Sequence, residues 1–497
     1  MSGLNWRWTL AELLPELGCL DTTEVTGLTQ DSRTVEKGDL FVARTGFKTD
    51  GAEFARDAVH KGAAAVLLET DRTSAEYLAS ILHVPVISWT PARFSLGALA
   101  DRFYQSPSRK LQVIGITGTN GKTSSANFCA QVSNALGCRA AMIGTLGNGF
   151  LDCLDTATHT TPDAVSLHRM IAEYELQGAQ MVVMEVSSHA IDQGRIDGID
   201  FDVVGYTNLT RDHLDYHGTE EAYAAAKARL FTDFNVGRQV LNADDLRPAA
   251  LLCTHAVGVD RIGFSLSDQT QVVALVSKVL RTGGMDLEIK LGANKLQLEL
   301  PLLGEFNISN LLLVIGLMHQ LGYGAEQLEP ALNQVQPVKG RMQRLANREG
   351  PVVLVDYAHT PDALVKALNA CRAHMSEGRL AVLFGCGGDR DRGKRPLMAA
   401  AAEQNADLIW LTSDNPRTEN PEQIISDALS GFSEGVQLVT EVDRGRAIAS
   451  IIRATGEGDI VLLAGKGHET YQEINDERMP FSDAEVATNA LRAGGYL

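Results

Sequence analysis

Basic residues are scarce in this 497-residue chain: 44 Lys and Arg stand against 62 Asp and Glu, a formal net charge of −18. A field of that sign repels nucleic acid and anionic lipid, so neither is expected as a partner. Small anionic substrates stay open, because a local cluster of Arg and Lys overrides the global field. Cysteine is sparse as well. The seven residues Cys19, Cys129, Cys138, Cys153, Cys253, Cys371 and Cys386 are odd in number and form no CxxC pair. That disfavours a disulfide framework or a zinc site and suits reduced, mostly buried thiols in a cytosol. No apolar run approaches the ~20 residues of a membrane span. The opening stretch MSGLNWRWTLAELLPELG carries acidic residues and no long apolar core, so no signal peptide is expected. There is no internal repeat and no low-complexity segment. The expectation is a cytoplasmic protein.

What is present is ordinary globular composition, 44% hydrophobic and 21% charged, in a length that suggests roughly three domains. Short apolar runs at 113–116, 182–186, 203–206, 352–355, 380–384 and 460–463 alternate with longer amphipathic stretches. Continuous apolar runs suit strands buried on both faces, the mark of a parallel α/β sheet. Polar stretches at 105–110 and 336–340 read as boundaries. Residues 286–291 and 296–300, joined through Gly292-Ala-Asn294, alternate with period two and read as a half-exposed hairpin appended to the central domain.

The chemistry-bearing segments fall just after the predicted strands, at the edge where open parallel sheets bind ligands. Thr117-Gly-Thr-Asn-Gly-Lys-Thr123 follows a strand and precedes a helix predicted over 124–136 and closed by Gly137. Its glycines let backbone N–H groups face phosphate oxygens, Lys122 can neutralise the β- and γ-phosphates, and the Thr123 hydroxyl can ligate Mg²⁺. The strict GxxxxGK[ST] spacing is not met, since Ile116 stands where its first glycine would fall. An ordinary glycine turn is the alternative, and the strand–loop–helix order favours the phosphate reading. Glu185-Val-Ser-Ser-His189 offers a carboxylate for Mg²⁺, or a plain strand-end charge. Asn208-Leu-Thr-Arg-Asp-His-Leu-Asp-Tyr-His217 offers Asp212 and His213 to metal or phosphate, or is a solvated loop. Lys227, in an alanine-rich helix, reads on its own as a surface lysine. Further on come Asp356-Tyr-Ala-His-Thr-Pro361, the Gly-rich cationic run from Gly385 to Arg395, Asp414-Asn-Pro-Arg417 and Gly465-Lys-Gly-His-Glu469. For Asp414–Arg417 a simple turn before a helix capped by Asn420-Pro421 is the competing reading.

Together with Asp31-Ser-Arg33, Gly38-Asp-Leu-Phe41, Phe306-Asn-Ile-Ser-Asn310 and Gly340-Arg-Met342, these segments resemble, over essentially the whole chain, the Mur ligase family. Its members are ATP-dependent enzymes that add amino acids to the peptidoglycan precursor, and the imperfect P-loop is the family's own form. The resemblance implies an α/β fold of three domains. These are a small N-terminal α/β domain binding the UDP-muramoyl substrate (1–108), a central ATP-binding domain with a P-loop-type, mostly parallel sheet and helices on both faces (109–337), and a C-terminal Rossmann-like α/β domain binding the amino acid (338–497).

Residue by residue, the resemblance implies that Ser32, Phe47, Lys48, Thr49, His159, Thr160, Thr161, Ser187, Gln193 and Arg195 contact the UDP-muramoyl-dipeptide. It implies ATP contacts from Gly118, Thr119, Asn120, Gly121, Lys122, Thr123, Asn310, Arg341, Asp356 and His359. Thr123, Glu185, His213 and Lys227 match the magnesium sphere, Lys227 as a CO₂-derived carbamate (N6-carboxylysine). Lys122, Glu185, His213 and Lys227 are the implied catalytic set. Arg390, Asp414, Asn415, Pro416, Arg417, Gly465 and Glu469 match the site for the incoming amino acid. Arg417 marks that amino acid as meso-2,6-diaminopimelate, whose distal carboxylate it can grip as lysine's ammonium end could not be gripped. ATP would activate a D-glutamyl carboxylate as an acyl phosphate, with domain closure aligning the substrates. The chain is expected to act as a monomer. Rival readings are an L-lysine-adding sister ligase, a folate polyglutamate ligase, and a non-catalytic ATP-binding switch.

Overall fold

The unbroken apolar runs become strands buried on both faces. In the C-terminal sheet, Leu354, Leu380, Val382 and Leu462 enter one core, while Val353, Ala381, Leu383, Val461 and Leu463 enter another. Successive side chains of a strand point to opposite faces, so a sheet covered on both sides needs apolar residues at every position. The computed structural model describes residues 6–45, 50–91, 94–157, 159–210, 212–234, 236–245, 258–345 and 349–497. The chain divides into two compact units, residues 1–264 with 316–323 and residues 265–315 with 324–497.

In the first unit, a parallel sheet runs in the order Gly27–Thr29, Asp39–Ala43, Ala65–Glu69, Val86–Trp89. A second sheet sets Ala140–Gly144, Met181–Glu185, Gln112–Thr117, Val203–Tyr206, Arg238–Asn242 and Asp260–Ser265 side by side in parallel. Gly147–Phe150 and Cys153–Asp155 extend it antiparallel. Gln112–Thr117 is flanked by Met181–Glu185 and Val203–Tyr206, with Glu185 opposite Ile116 and Tyr206 opposite Thr117. Three adjacent strands therefore release their following loops at one edge, where ligands bind in such sheets. The helix after the first of these loops spans Lys122–Ala135, two residues earlier than the sequence reading, and Gly137 follows with φ 80°. Lys122 and Thr123 are thus first-turn residues, where unpaired N–H groups and the helix dipole favour an anion.

In the second unit, Val273–Arg281, Gly284–Leu291 and Asn294–Leu300 form antiparallel pairs. The last two make the hairpin read from period-two alternation, with Leu291 opposite Asn294. The C-terminal sheet runs Gln343–Arg344, Val352–Asp356, Ile460–Ala464, Leu380–Phe384, Leu408–Thr412, Val439–Glu441, parallel except for the first. A further hairpin, Tyr471–Ile474 with Glu477–Pro480, turns on Asn475-Asp476. Both turn residues have positive φ (51° and 63°), the two-residue geometry that matches strand twist. Among the described cysteines, Cys129, Cys371 and Cys386 are buried, Cys19 and Cys138 half-buried, and Cys153 exposed.

Candidate active site

The phosphate loop is shaped by its glycines. Gly118 has φ 144° and Gly121 φ 89°. A Cβ on Gly118 would lie 1.8 Å from Thr207 Oγ1, so only glycine fits. The neighbouring strand's loop holds this one in place. Thr119 N–H donates to the Asn208 carbonyl (2.7 Å), Asn120 N–H to Asn208 Oδ1 (3.0 Å) and Asn208 Nδ2 to the Asn120 carbonyl (3.0 Å). The polar stretch read as a solvated loop is therefore, at Asn208 and Thr210, the scaffold of the phosphate loop. Lys122 Nζ curls back onto the carbonyls of Gly118 (2.8 Å) and Thr119 (2.9 Å).

Lys227 corrects the surface reading. It is 3% exposed in the helix Glu220–Thr232. Its Nζ donates to the Gly118 carbonyl at 2.8 Å and lies 4.4 Å from the Tyr223 ring centroid. Burial, with the nearby Lys122 charge, pushes its pKa well below the usual lysine value, against a smaller opposing pull from Asp212. His213, with φ 51°, sets its ring 4.9 Å from His189 and 6.1 Å from Tyr223, centroid to centroid.

Glu185 is fully buried at the end of its strand. Its carboxylate accepts from Thr123 Oγ1 (2.9 Å), Thr145 N–H (2.8 Å) and Thr145 Oγ1 (3.3 Å). Every one of these donors is neutral, and the buried carboxylate stands beside a second hard oxygen, the Thr123 hydroxyl. That donor set fits Mg²⁺. The described contacts join Thr123 to Glu185, and His213 to Lys227 through Tyr223. Among the described residues, no cluster of three or more His, Cys, Asp or Glu stands in metal-binding geometry.

The muramoyl-peptide candidates assemble beside Glu185. Thr161 Oγ1 donates to the Glu185 carbonyl (2.8 Å) and accepts from Ser187 N–H (3.1 Å). Arg195 Nη1 donates to the Thr161 carbonyl (2.9 Å), and its Nε to Gln193 Oε1 (2.9 Å). Thr160 and Thr145 hydroxyls are 3.1 Å apart. A cavity of about 520 Å³ is lined by His159, Gln193 and Arg195 with Gln30, Arg44 and Trp89. Ser32 offers its carbonyl to Lys61 Nζ (2.8 Å). Phe47, Lys48 and Thr49 lie outside the described residues.

In the second unit, Arg341 lies over the Tyr357 ring (4.7 Å), with His359 and His468 against the same ring at 4.7 and 5.3 Å. Asp356, pushed up by burial, accepts from the N–H groups of Met342 (2.7 Å) and Ala358 (2.9 Å). Asn310 Nδ2 bonds Asn307 Oδ1 (3.1 Å).

The amino-acid candidates gather around a residue the sequence reading passed over. Lys466 is fully buried, and its Nζ reaches Glu469 Oε2 (2.9 Å), Asn415 Oδ1 (2.9 Å) and Asp414 Oδ1 (3.6 Å). Asp414 Oδ1 is buried without a hydrogen-bond donor, with Lys466 Nζ paired to it at the longer 3.6 Å. A Cβ on Gly465 would come within 3.0 Å of Asp414 Oδ2. Arg417 bonds Glu473 Oε2 (3.0 Å) and the Gly388 carbonyl (2.7 Å). Arg390 is exposed, and its Nη1 donates to the Asp389 carbonyl (3.2 Å). Pro416 lies under the Gly388 backbone, where a Cβ would meet its carbonyl at 1.9 Å. A lysine between two glycines at a buried strand's end was the available signal for Lys466. The Asn-Asp turn between two short runs was the signal for the hairpin carrying Glu473.

Three family models match the chain: "Mur ligase family, catalytic domain" over residues 24–104, "Mur ligase middle domain" over 116–318 and "Mur ligase, glutamate ligase domain" over 340–467. The curated UDP-N-acetylmuramoyl-L-alanyl-D-glutamate–2,6-diaminopimelate ligase of Xylella fastidiosa is 45% identical over 97% of both chains. The ligase of the same name from Ectopseudomonas mendocina is 47% identical over 97% of this chain and 98% of its own. A solved structure with that enzyme name aligns at TM-score 0.73 and 37% identity, covering 99% of this chain and all of the other.

Proposed function

The chain belongs to the Mur ligase family of ATP-dependent, amide-bond-forming ligases, and from that premise we propose that it adds meso-2,6-diaminopimelate to UDP-N-acetylmuramoyl-L-alanyl-D-glutamate in peptidoglycan precursor synthesis. The observation that carries the amino-acid assignment is the cluster in which Lys466 holds Asp414, Asn415 and Glu469, and Asn415 in turn accepts from the N–H of Glu473, whose carboxylate holds Arg417. A zwitterionic distal end needs both signs of charge within reach, and this cluster carries both. Lysine would leave Arg417 without its carboxylate, and unpaired polar groups of that kind are what separate such substrates. The site for muramoyl-dipeptide is supported by the cavity that brings His159, Gln193 and Arg195 together.

Bond formation follows from these groups. The D-glutamyl carboxylate attacks the γ-phosphate, a P–O bond forms, and ADP leaves. The amine then attacks the acyl carbon of the resulting acyl phosphate, loses a proton, and phosphate departs. The first step brings two anions together. Lys122, in the first turn of a helix whose N–H groups face the loop, offsets that repulsion and positions the γ-phosphate. Thr123 and Glu185 would hold Mg²⁺, which supplies further charge neutralisation on the phosphates when bound.

Lys227 completes the arrangement as a carbamate. Burial and the nearby Lys122 charge both disfavour an ammonium at Lys227, and no described carboxylate pairs with it. Reaction of its neutral amine with CO₂ forms an N–C bond, releases one proton and leaves a carbamate anion beside Lys122. The domain limits 1–108, 109–337 and 338–497 and a monomeric enzyme belong to the same proposal. Labelling the dipeptide's D-glutamyl carboxylate with ¹⁸O tests the chemistry: one label passes into each released phosphate if an acyl phosphate forms, and unlabelled phosphate contradicts it.

A further inference from the structure

Arg417 is held by more than its own strand-end segment. Its φ is 51°, in the left-handed region that non-glycine residues rarely enter. Two main-chain hydrogen bonds stabilise that conformation. Arg417 N–H donates to the Glu473 carbonyl (2.9 Å), and Asn475 N–H donates to the Arg417 carbonyl (2.8 Å). Side chains add to the stitching, with Gln472 Nε2 on the Asp414 carbonyl (2.8 Å) and Glu473 N–H on Asn415 Oδ1 (3.0 Å). The hairpin Tyr471–Ile474/Glu477–Pro480 is therefore the wall against which the Asp414–Arg417 segment is set.

The guanidinium accounting then picks out a face. Arginine has five N–H donors in a rigid plane. Nε–H is spent on Glu473 Oε2 (3.0 Å), and one Nη1–H on the Gly388 carbonyl (2.7 Å). The other Nη1–H and both Nη2–H groups have no partner among the described residues. A carboxylate can grip a guanidinium side-on, through Nε and Nη2, or end-on, through Nη1 and Nη2. The side-on edge is blocked at Nε, so the end-on edge is the one left.

We infer that Glu473 is a positioning residue for amino-acid selection: by occupying Arg417 Nε it locks the guanidinium plane and presents the Nη1–Nη2 edge to the distal carboxylate of the incoming diamino acid. This rests on the proposed diaminopimelate reading. The hydrogen bond does the positioning; the negative charge is not needed and slightly opposes carboxylate binding. Loss of the brace lets Arg417 swing, and the cost falls on binding that one substrate.

Steady-state kinetics of the full-length enzyme tests this with E473A and E473Q. E473A is expected to raise the KM for diaminopimelate about tenfold or more, with kcat within about twofold and the KM values for ATP and UDP-muramoyl-dipeptide unchanged. E473Q, whose amide oxygen still accepts from Nε, is expected to restore a near-native diaminopimelate KM. Should E473A fail to fold, E473M keeps the length without the acceptor and is read the same way. A native diaminopimelate KM in the acceptor-less variant overturns the inference, as do a parallel rise in all three KM values or an E473Q as impaired as E473A. If the unmutated enzyme does not use diaminopimelate at all, the functional reading has failed instead, and the two failures are distinct.

Discussion

Lys122 and Lys227 donate to the same acceptor: each Nζ lies 2.8 Å from the Gly118 carbonyl oxygen. One peptide oxygen, at the loop's tightest glycine, ties the loop's own lysine to a lysine 3% exposed in a different helix. Burial and a neighbouring like charge both disfavour an ammonium there, and the proposed carbamate on Lys227 would resolve the conflict.

Lys227→Ala is therefore expected to lose about 10²-fold or more in kcat, the scale of losing a preorganised electrostatic group. Acetate or formate, fitting the space left behind, should restore part of the rate. Initial rates across a titration of these acids check it. A fully active Lys227→Ala enzyme contradicts the carbamate.

Gly118→Ala places a methyl 1.8 Å from Thr207 Oγ1 at φ 144°. The loop must move, and with it the carbonyl shared by both lysines. Nucleotide affinity should fall at least about tenfold, or ~1.4 kcal/mol, while the far-UV spectrum is retained. Titration with a fluorescent ATP analogue measures the affinity, and native binding would show that the loop tolerates a Cβ.

Lys466→Met leaves the buried Asp414 and the half-buried Glu469 without their cation. Breaking a buried ion pair from one side costs about 3–5 kcal/mol. In a unit of this size that amounts to a fall in melting temperature of roughly 6–20 °C. Differential scanning calorimetry reads it directly. An unchanged melting temperature would mean that water already carries the charge of those acids.

Arg417→Ala removes the partner of the distal carboxylate. The expected loss is about 2–5 kcal/mol in diaminopimelate kcat/KM, with ATP binding unchanged. Equilibrium ATP titration alongside the kinetics separates the two effects, and equal losses for both ligands would contradict the assignment of Arg417.

Much of this site was legible before any coordinates. The apolar runs identify strands buried on both faces, and in a parallel sheet their C-terminal ends share one edge, so Thr117, Glu185 and Tyr206 had to release their loops near one another. Lys227 was only faintly legible from its own helix. Tyr223 and Leu230 stand four before and three after it and share its buried face, but the alanines around them blur that stripe. Lys466 was hidden for a different reason. Its place between two glycines at a buried strand's end is a local hint, but two of its three partners, Asp414 and Asn415, lie some fifty residues away in sequence. Glu473 acts through a hairpin whose contact with Arg417 is a tertiary match of two turns.

The central claim is tested most directly by phosphate release from the purified enzyme with ATP, UDP-N-acetylmuramoyl-L-alanyl-D-glutamate and a panel of amino acids, each offered alone. Stoichiometric release with meso-2,6-diaminopimelate, and little with L-lysine or L-glutamate, is the predicted result. Equal use of lysine, or phosphate release that needs no amino acid, would contradict it.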